Sequence, residues 1–219
     1  QHAKLQGQVF LRTDTHWTPM GAEVVAQNLG QTVAQKTPLD AAPQQYITES
    51  KNAEPYKGDL TTFLPLDPLF SNLLPQPDQL QTRTTRAADA GTEGEAGGEG
   101  DLFSDSQVPV ALVGTSYSAN PKWNFVGALQ QALRSDVVSY AESGHGPIEP
   151  MLKFLQSDNY KDAAPQLVIW EFPERYLTMK TNLSEFDPGW IAQLKAAAAA
   201  DTNLATSVSH SPLPIQANR

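Results

Sequence analysis

Cysteine is absent from the 219 residues, which removes disulfides, thiol catalysis and cysteine-ligated zinc at once. It leaves the redox compartment open. No stretch approaches the ~18 consecutive apolar residues of a membrane-spanning helix. Basic residues are scarce: 15 Lys and Arg stand against 24 Asp and Glu, for a formal charge of -9. Clustered positive charge is what holds nucleic acid or an anionic membrane, so neither is expected as a partner, and the grip on any polyanion should be weak. No basic-then-apolar leader stands at Gln1–His2, and the expectation is that any signal or anchor lies outside this chain. An apolar content of 40% over this length supports one sizeable core, so a single domain over residues 1–219 is expected.

Among the residues that are present, Val110–Val113 reads as a buried strand running into Gly114-Thr115-Ser116-Tyr117-Ser118, a tight turn that carries a serine. A hydroxyl is a poor nucleophile at neutral pH and needs a base within hydrogen-bond reach, oriented in turn by a third group. Asp14-Thr15-His16 offers both, because residues two apart lie on one side of an extended segment. Val9–Leu11 is expected as a short strand delivering this pair, and Thr18-Pro19 as a helix start with Pro in the first turn. Apolar residues then recur at helical spacing to about residue 35.

From Thr37 to Arg86 prolines interrupt every pattern, so turns are expected, with a short strand near Tyr46–Thr48 and irregular chain around Phe63–Leu74. Ala87–Asp105 is Gly-rich, with six acidic residues and no Lys or Arg. That composition predicts a flexible surface loop. Beyond it, strands at 108–113, 137–140 and 167–171 alternate with helices at 122–133 and 147–155, the pattern of a parallel sheet covered by helices. The Ser116 turn would then lie at the carboxyl end of its strand, where open α/β sheets hold their sites. An alanine-rich helical stretch spans Leu194–Ala200, and residues 201–219 should fray.

Each candidate has a plain reading beside the chemical one. Gly-Thr-Ser also makes an ordinary turn, and Asp14 before a helix also complements its macrodipole. His145, in a loop before a helix, is a reserve base. Trp17, Tyr117 and Trp123 could line a sugar-binding face or simply pack. Glu171, Glu174 and Arg175 could form an ion pair that fixes a loop or could meet substrate, and Glu171 with Glu174 is also a conceivable carboxylate pair for glycoside cleavage. His2, His145 and His210 have no Asp or Glu at metal-ligand spacing, so no zinc or other metal site is expected, and no cofactor.

Asp14-Thr15-His16-Trp17-Thr18-Pro19-Met20-Gly21, Gly114-Thr115-Ser116-Tyr117-Ser118 and Trp170-Glu171-x-x-Glu174-Arg175-Tyr176 together resemble the SGNH-hydrolase-like alginate O-acetyltransferase family (AlgJ/AlgX type), its AlgJ branch most closely. The similarity runs from Val9 to about Leu177. It implies an α/β, SGNH-hydrolase-like three-layer fold with a mainly parallel sheet, and a circularly permuted motif order, since ordinary members place the serine block first. It also implies a triad of Asp14, His16 and Ser116; beside it, Tyr117, Trp123, Arg175 and Tyr176 are expected to bind substrate. Only the Ser116 N–H is identifiable as an oxyanion donor. The implied setting is the periplasm of a Gram-negative bacterium. The acetyl donor would arrive through a membrane-embedded acyl-transfer protein, with alginate or another acetyltransferase as acceptor. The rival expectation is a scaffold subunit of the same machinery that has kept the fold without the chemistry.

Overall fold

The structure, a computed structural model, describes residues 7–66, 68–88 and 108–200. Helix α1 (Pro19–Lys36) begins where expected: the Thr18 hydroxyl accepts from the Gly21 N–H, and Pro19 fills the first helical position. The chain before it differs from expectation. Val9–Leu11 is not a strand; Phe10 pairs with Trp17 in a single antiparallel bridge, and Leu11 N–H donates to the His16 carbonyl. Residues 10–17 therefore close on themselves as a tight loop.

The proline-rich segment holds four strands where one was expected. β1 (Tyr46–Ser50) pairs antiparallel with β4 (Arg83–Ala87), and between them β2 (Glu54–Tyr56) pairs with β3 (Asp78–Leu80). Proline interrupts a central strand but is tolerated where one edge is unpaired, and in a two-stranded ribbon every strand has such an edge. Pro55 sits in β2 on that account. The partners lie more than twenty residues apart, so alternation within one short segment does not reveal them. Two 3₁₀ turns, Asp59–Phe63 and Ser71–Leu73, span the irregular stretch. Of the segment expected as a flexible loop, Ala87 ends β4, and residues 89–107, like the tail 201–219, lie outside the described residues.

The centre is a parallel sheet in the order β6-β5-β7, made of β5 (Val110–Val113), β6 (Val137–Ser139) and β7 (Leu167–Trp170). All four residues of β5 are buried, as a middle strand covered on both faces requires. Val110 and Leu112 face Ala22 and Ala26 of α1 and Phe125 and Leu129 of α3 (Phe125–Leu133), whereas Ala111 and Val113 meet Phe154 of α4 (Ile148–Gln156). These are three layers of an α/β fold. A four-residue helix α2 (Ser116–Ala119) follows β5, and α5 (Asp158–Asp162) leads into β7. The helix expected over 122–133 is broken: Pro121–Trp123 is a 3₁₀ turn, and Asn124 takes left-handed angles (φ 52°) before α3 begins.

Asp78 opens β3, is 1% exposed, and holds the 10–17 loop from outside. Its carboxylate accepts from the Thr13 hydroxyl (2.7 Å), the Thr13 N–H (2.9 Å), the Arg12 N–H and the Gln8 amide. Burial by itself would raise its pKa, but these donors, Thr13 foremost, hold it well below the usual carboxylate range. The folded state thus binds fewer protons than the unfolded chain once pH drops toward the ordinary Asp value near ~4. The stabilisation is complete above that value and is lost as pH falls further. Asp78→Asn should cost about 2–4 kcal/mol at pH 7, since an amide cannot accept from all these donors. It should also flatten the acid-side loss of stability. Urea melts of both proteins at pH 7 and pH 2 check this; parallel losses at the two pH values would contradict it.

The chain parts into two compact units between Thr178 and Met179, where the sequence reading has one domain to residue 219. In the second unit, α6 (Pro188–Ala200) starts earlier than the alanine run suggests. Asp187 accepts from the Trp190 N–H (2.7 Å) in the manner of an N-cap.

Candidate active site

The tight loop, rather than an extended strand, brings Asp14 to His16. The His16 N–H donates to Asp14 Oδ1 (3.0 Å), which turns the backbone so that imidazole Nδ1 reaches the same oxygen at 2.6 Å. The second oxygen, Oδ2, accepts from the Tyr56 hydroxyl (2.8 Å) and from the Asp59 N–H (3.1 Å). Asp59 in turn accepts from the Thr15 N–H (2.8 Å) and hydroxyl (2.7 Å). Gly58 makes this approach possible, because a Cβ there would stand 2.1 Å from the Thr13 carbonyl oxygen and 2.6 Å from Asp14 Cβ.

Ser116 comes from the other end of the chain order but the same end of the sheet. β5 ends at Val113, and Thr115 caps α2, its hydroxyl accepting from the Tyr117 N–H. The first helical residue is Ser116, with Oγ 2.7 Å from His16 Nε2. Since Nδ1 faces a carboxylate, the network assigns its proton there, which leaves the Nε2 lone pair for the serine O–H. Among the described residues nothing accepts from the Ser116 N–H. Trp17 ties the two motifs together: its indole donates to the Tyr117 carbonyl (3.0 Å), and its ring meets Tyr117 edge-on.

The Asp14 carboxylate is almost wholly buried, and burial would raise its pKa. The hydrogen bonds from His16, Tyr56 and the Asp59 N–H outweigh that and hold it below the usual value. Burial and the bond to Asp14 push the Tyr56 phenol the other way, so it stays protonated. Two groups have metal-compatible spacing among the described residues: Asp14, His16 and Asp59, and Glu142, His145 and Glu149. In the first, the donor atoms already serve the hydrogen bonds above. In the second, the Lys153 ammonium bridges the carboxylates at 2.7 and 2.8 Å.

The family model described as SGNH hydrolase-like domain, acetyltransferase AlgX, matches residues 1–174. The chain belongs to this family. It is 69% identical to the probable alginate O-acetylase AlgJ of Pseudomonas putida over 94% of this chain and 53% of that protein. The chain spans about half the length of the curated relatives it matches. A solved O-acetyltransferase domain of Pseudomonas putida AlgJ superimposes with a TM-score of 0.79 at 65% identity, covering 90% of this chain and 64% of the other. Pseudomonas aeruginosa AlgX shares the fold at a TM-score of 0.57 and 23% identity, covering 75% and 35%.

Within this SGNH-like frame, the structure brings Asp14, His16 and Ser116 into one line of hydrogen bonds. Tyr117 is buried beneath them, its ring centroid 4.7 Å from that of His16 and its hydroxyl donating to the Thr15 carbonyl. Trp123 does not sit on a sugar-facing surface: it is 1% exposed and stacks on His16 at 5.3 Å, leaving no face open to a ligand. Arg175 lies over the Tyr117 and Tyr176 rings and donates to the Tyr117 hydroxyl (3.3 Å), on the exposed side of the site. His145 is paired with Glu149 at 2.8 Å instead of with Ser116. Glu171 bonds to Thr115 and Ser118, not to Arg175. Sequence reasoning missed Tyr56 and Asp59. The one signal for them was Tyr56-Lys57-Gly58-Asp59 itself, a glycine beside an acid and a tyrosine, and nothing in that string names Asp14 as its target.

Proposed function

We propose that this chain carries the catalytic part of an alginate O-acetyltransferase that works through an acetyl-serine on Ser116. The observation that supports it is the unbroken relay from Asp14 Oδ1 to His16 Nδ1 (2.6 Å) and from Nε2 to Ser116 Oγ (2.7 Å). His16 Nε2 takes the hydroxyl proton as Oγ attacks the ester carbonyl of the donor, and Asp14 balances the imidazolium that forms. The free Ser116 N–H, at the start of α2, faces the developing oxyanion. His16 returns the proton to the departing alcohol, leaving acetyl-Ser116. A sugar hydroxyl, or water, then gives its proton to His16 and takes the acetyl group, and His16 passes that proton to the departing Ser116 Oγ. Alginate as acceptor, a membrane-embedded acyl-transfer protein as donor, and a periplasmic location belong to the same reading. They are supported by the names of the AlgJ and AlgX relatives and by the family resemblance. The charge of -9 argues for brief contact with an anionic polymer, as in a relay, over tight binding.

The test is to incubate the protein with an aryl acetate and oligomannuronates and to follow both by mass spectrometry. Oligomers that gain acetyl groups, with a mass gain of one acetyl on Ser116, are the expected result. Release of free acetate without acetylated oligomers would reduce the reading to an esterase, and no turnover would overturn it. Tyr56→Phe removes one of the two donors on Asp14 Oδ2, so the Asp14 pKa should rise and Asp14 should hold His16 less firmly. The expected loss in kcat is about 10- to 150-fold, the worth of one hydrogen bond to a charged group, ~1.5–3 kcal/mol. A kcat within about two-fold of the parent would remove Tyr56 from the relay.

A further inference from the structure

The third sequence motif, which the relay does not use, ends on the nucleophile turn. Glu171 directly follows β7, and its carboxylate accepts from the Thr115 N–H (3.0 Å), the Thr115 hydroxyl (3.2 Å) and the Ser118 hydroxyl (2.7 Å). The residues immediately before and two after Ser116 are thus tied to one acid from the neighbouring strand. Gly114 is shaped to the same carboxylate: a Cβ there would stand 2.7 Å from Glu171 Oε2 and 2.8 Å from Ser118 Oγ. Glu171 is itself anchored, its N–H donating to the Val113 carbonyl (2.8 Å) as the β5–β7 ladder ends.

We propose that Glu171 is a positioning residue for the nucleophile, setting the orientation of the Ser116 hydroxyl and of its N–H through Thr115 and Ser118. By accepting the Thr115 hydroxyl proton, Glu171 turns the oxygen lone pair toward the Tyr117 N–H that it caps. By accepting the Thr115 N–H, it engages the donor just before the nucleophile. The Ser116 N–H is then left as the open donor of this turn. The inference rests on the proposed acetyl-serine chemistry, and it assigns a single purpose to the Gly, Thr and second Ser of the Gly-Thr-Ser-x-Ser string.

Ser116 labelling by a fluorophosphonate ester reads nucleophile alignment directly, because the reagent needs both the oxygen and the oxyanion donor in place. Glu171→Gln keeps the shape but offers one acceptor atom, Gly114→Ala displaces the carboxylate without altering it, and Ser118→Ala removes a single donor. The first two should slow labelling about 10- to 100-fold, with kcat for aryl acetate hydrolysis falling by a similar factor and KM holding. Ser118→Ala should fall between them and the parent. Labelling within about two-fold of the parent in Ser118→Ala and in the folded variants of the other two, whatever their Tm, overturns the proposal and leaves Glu171 a purely structural group. Absence of labelling in the unsubstituted protein overturns the acetyl-serine reading as well, which separates the two failures.

Discussion

Ser116→Ala should abolish the acetyl adduct and lower kcat for aryl acetate hydrolysis by about 10⁴- to 10⁶-fold, the range seen when a hydrolase loses its nucleophile. Among the described residues, no other hydroxyl lies at hydrogen-bond distance from His16 Nε2; the Thr15 hydroxyl is on the Nδ1 side, at 3.3 Å. Removing the Ser116 oxygen therefore leaves the base with nothing to deprotonate but water. The change itself should be mild for the fold, since Ser116 is half-buried and, among the described residues, its side chain bonds only to His16. A Tm near that of the parent, together with a lost adduct, would assign the effect to chemistry. Hydrolysis that survives at more than about a hundredth of the parent rate would mean that the acyl group never rests on this serine.

Asp14→Asn is expected to have the next largest effect, about 10³- to 10⁴-fold on kcat, for a reason that the geometry makes specific. Each carboxylate oxygen faces a backbone N–H: His16 on Oδ1 and Asp59 on Oδ2. An asparagine must therefore set its NH₂ against one of them. If the NH₂ takes the Oδ1 place, it faces imidazole Nδ1 as a donor and drives the ring to the tautomer that carries its proton on Nε2, where it can no longer accept from Ser116. If it takes the Oδ2 place, it clashes with the Asp59 N–H, and the negative charge that steadies the imidazolium is lost in either case. Fluorophosphonate labelling should fall along with kcat. The Asp14 contribution to stability, present above the ordinary Asp value near ~4 and lost as pH falls through its lower folded value, should vanish from the acid-side melt. A variant with nearly parental kcat would show that Asp14 only anchors the loop.

The two sets of partners around Asp14 divide by how far apart they lie in the chain. Asp14 and His16 are two residues apart, and Thr18-Pro19 announces the helix behind them, so the base and its orienting acid were visible as a string. The segment that delivers them was misjudged as a strand, because the force that bends it is Asp78, sixty-five residues away from Thr13. Tyr56 and Asp59 approach from 42 and 45 residues away and were invisible for the same reason. Trp123 was visible as an aromatic near the serine, but its side was not: it is buried and stacks on His16, 107 residues away in the chain.

Sequence alone determined the parts whose physics is local: the capped start of α1, the apolar run of β5, the parallel α/β pattern after it, and the Asp-x-His and Gly-Thr-Ser strings that mark the family. Tertiary structure alone decided which groups meet. Hydrogen bonds reach about 3 Å and are indifferent to chain separation. The contact of His16 with Ser116 across one hundred residues, the grip of Asp78 on the loop and that of Glu171 on the nucleophile turn could therefore appear only once the sheet had set those distances.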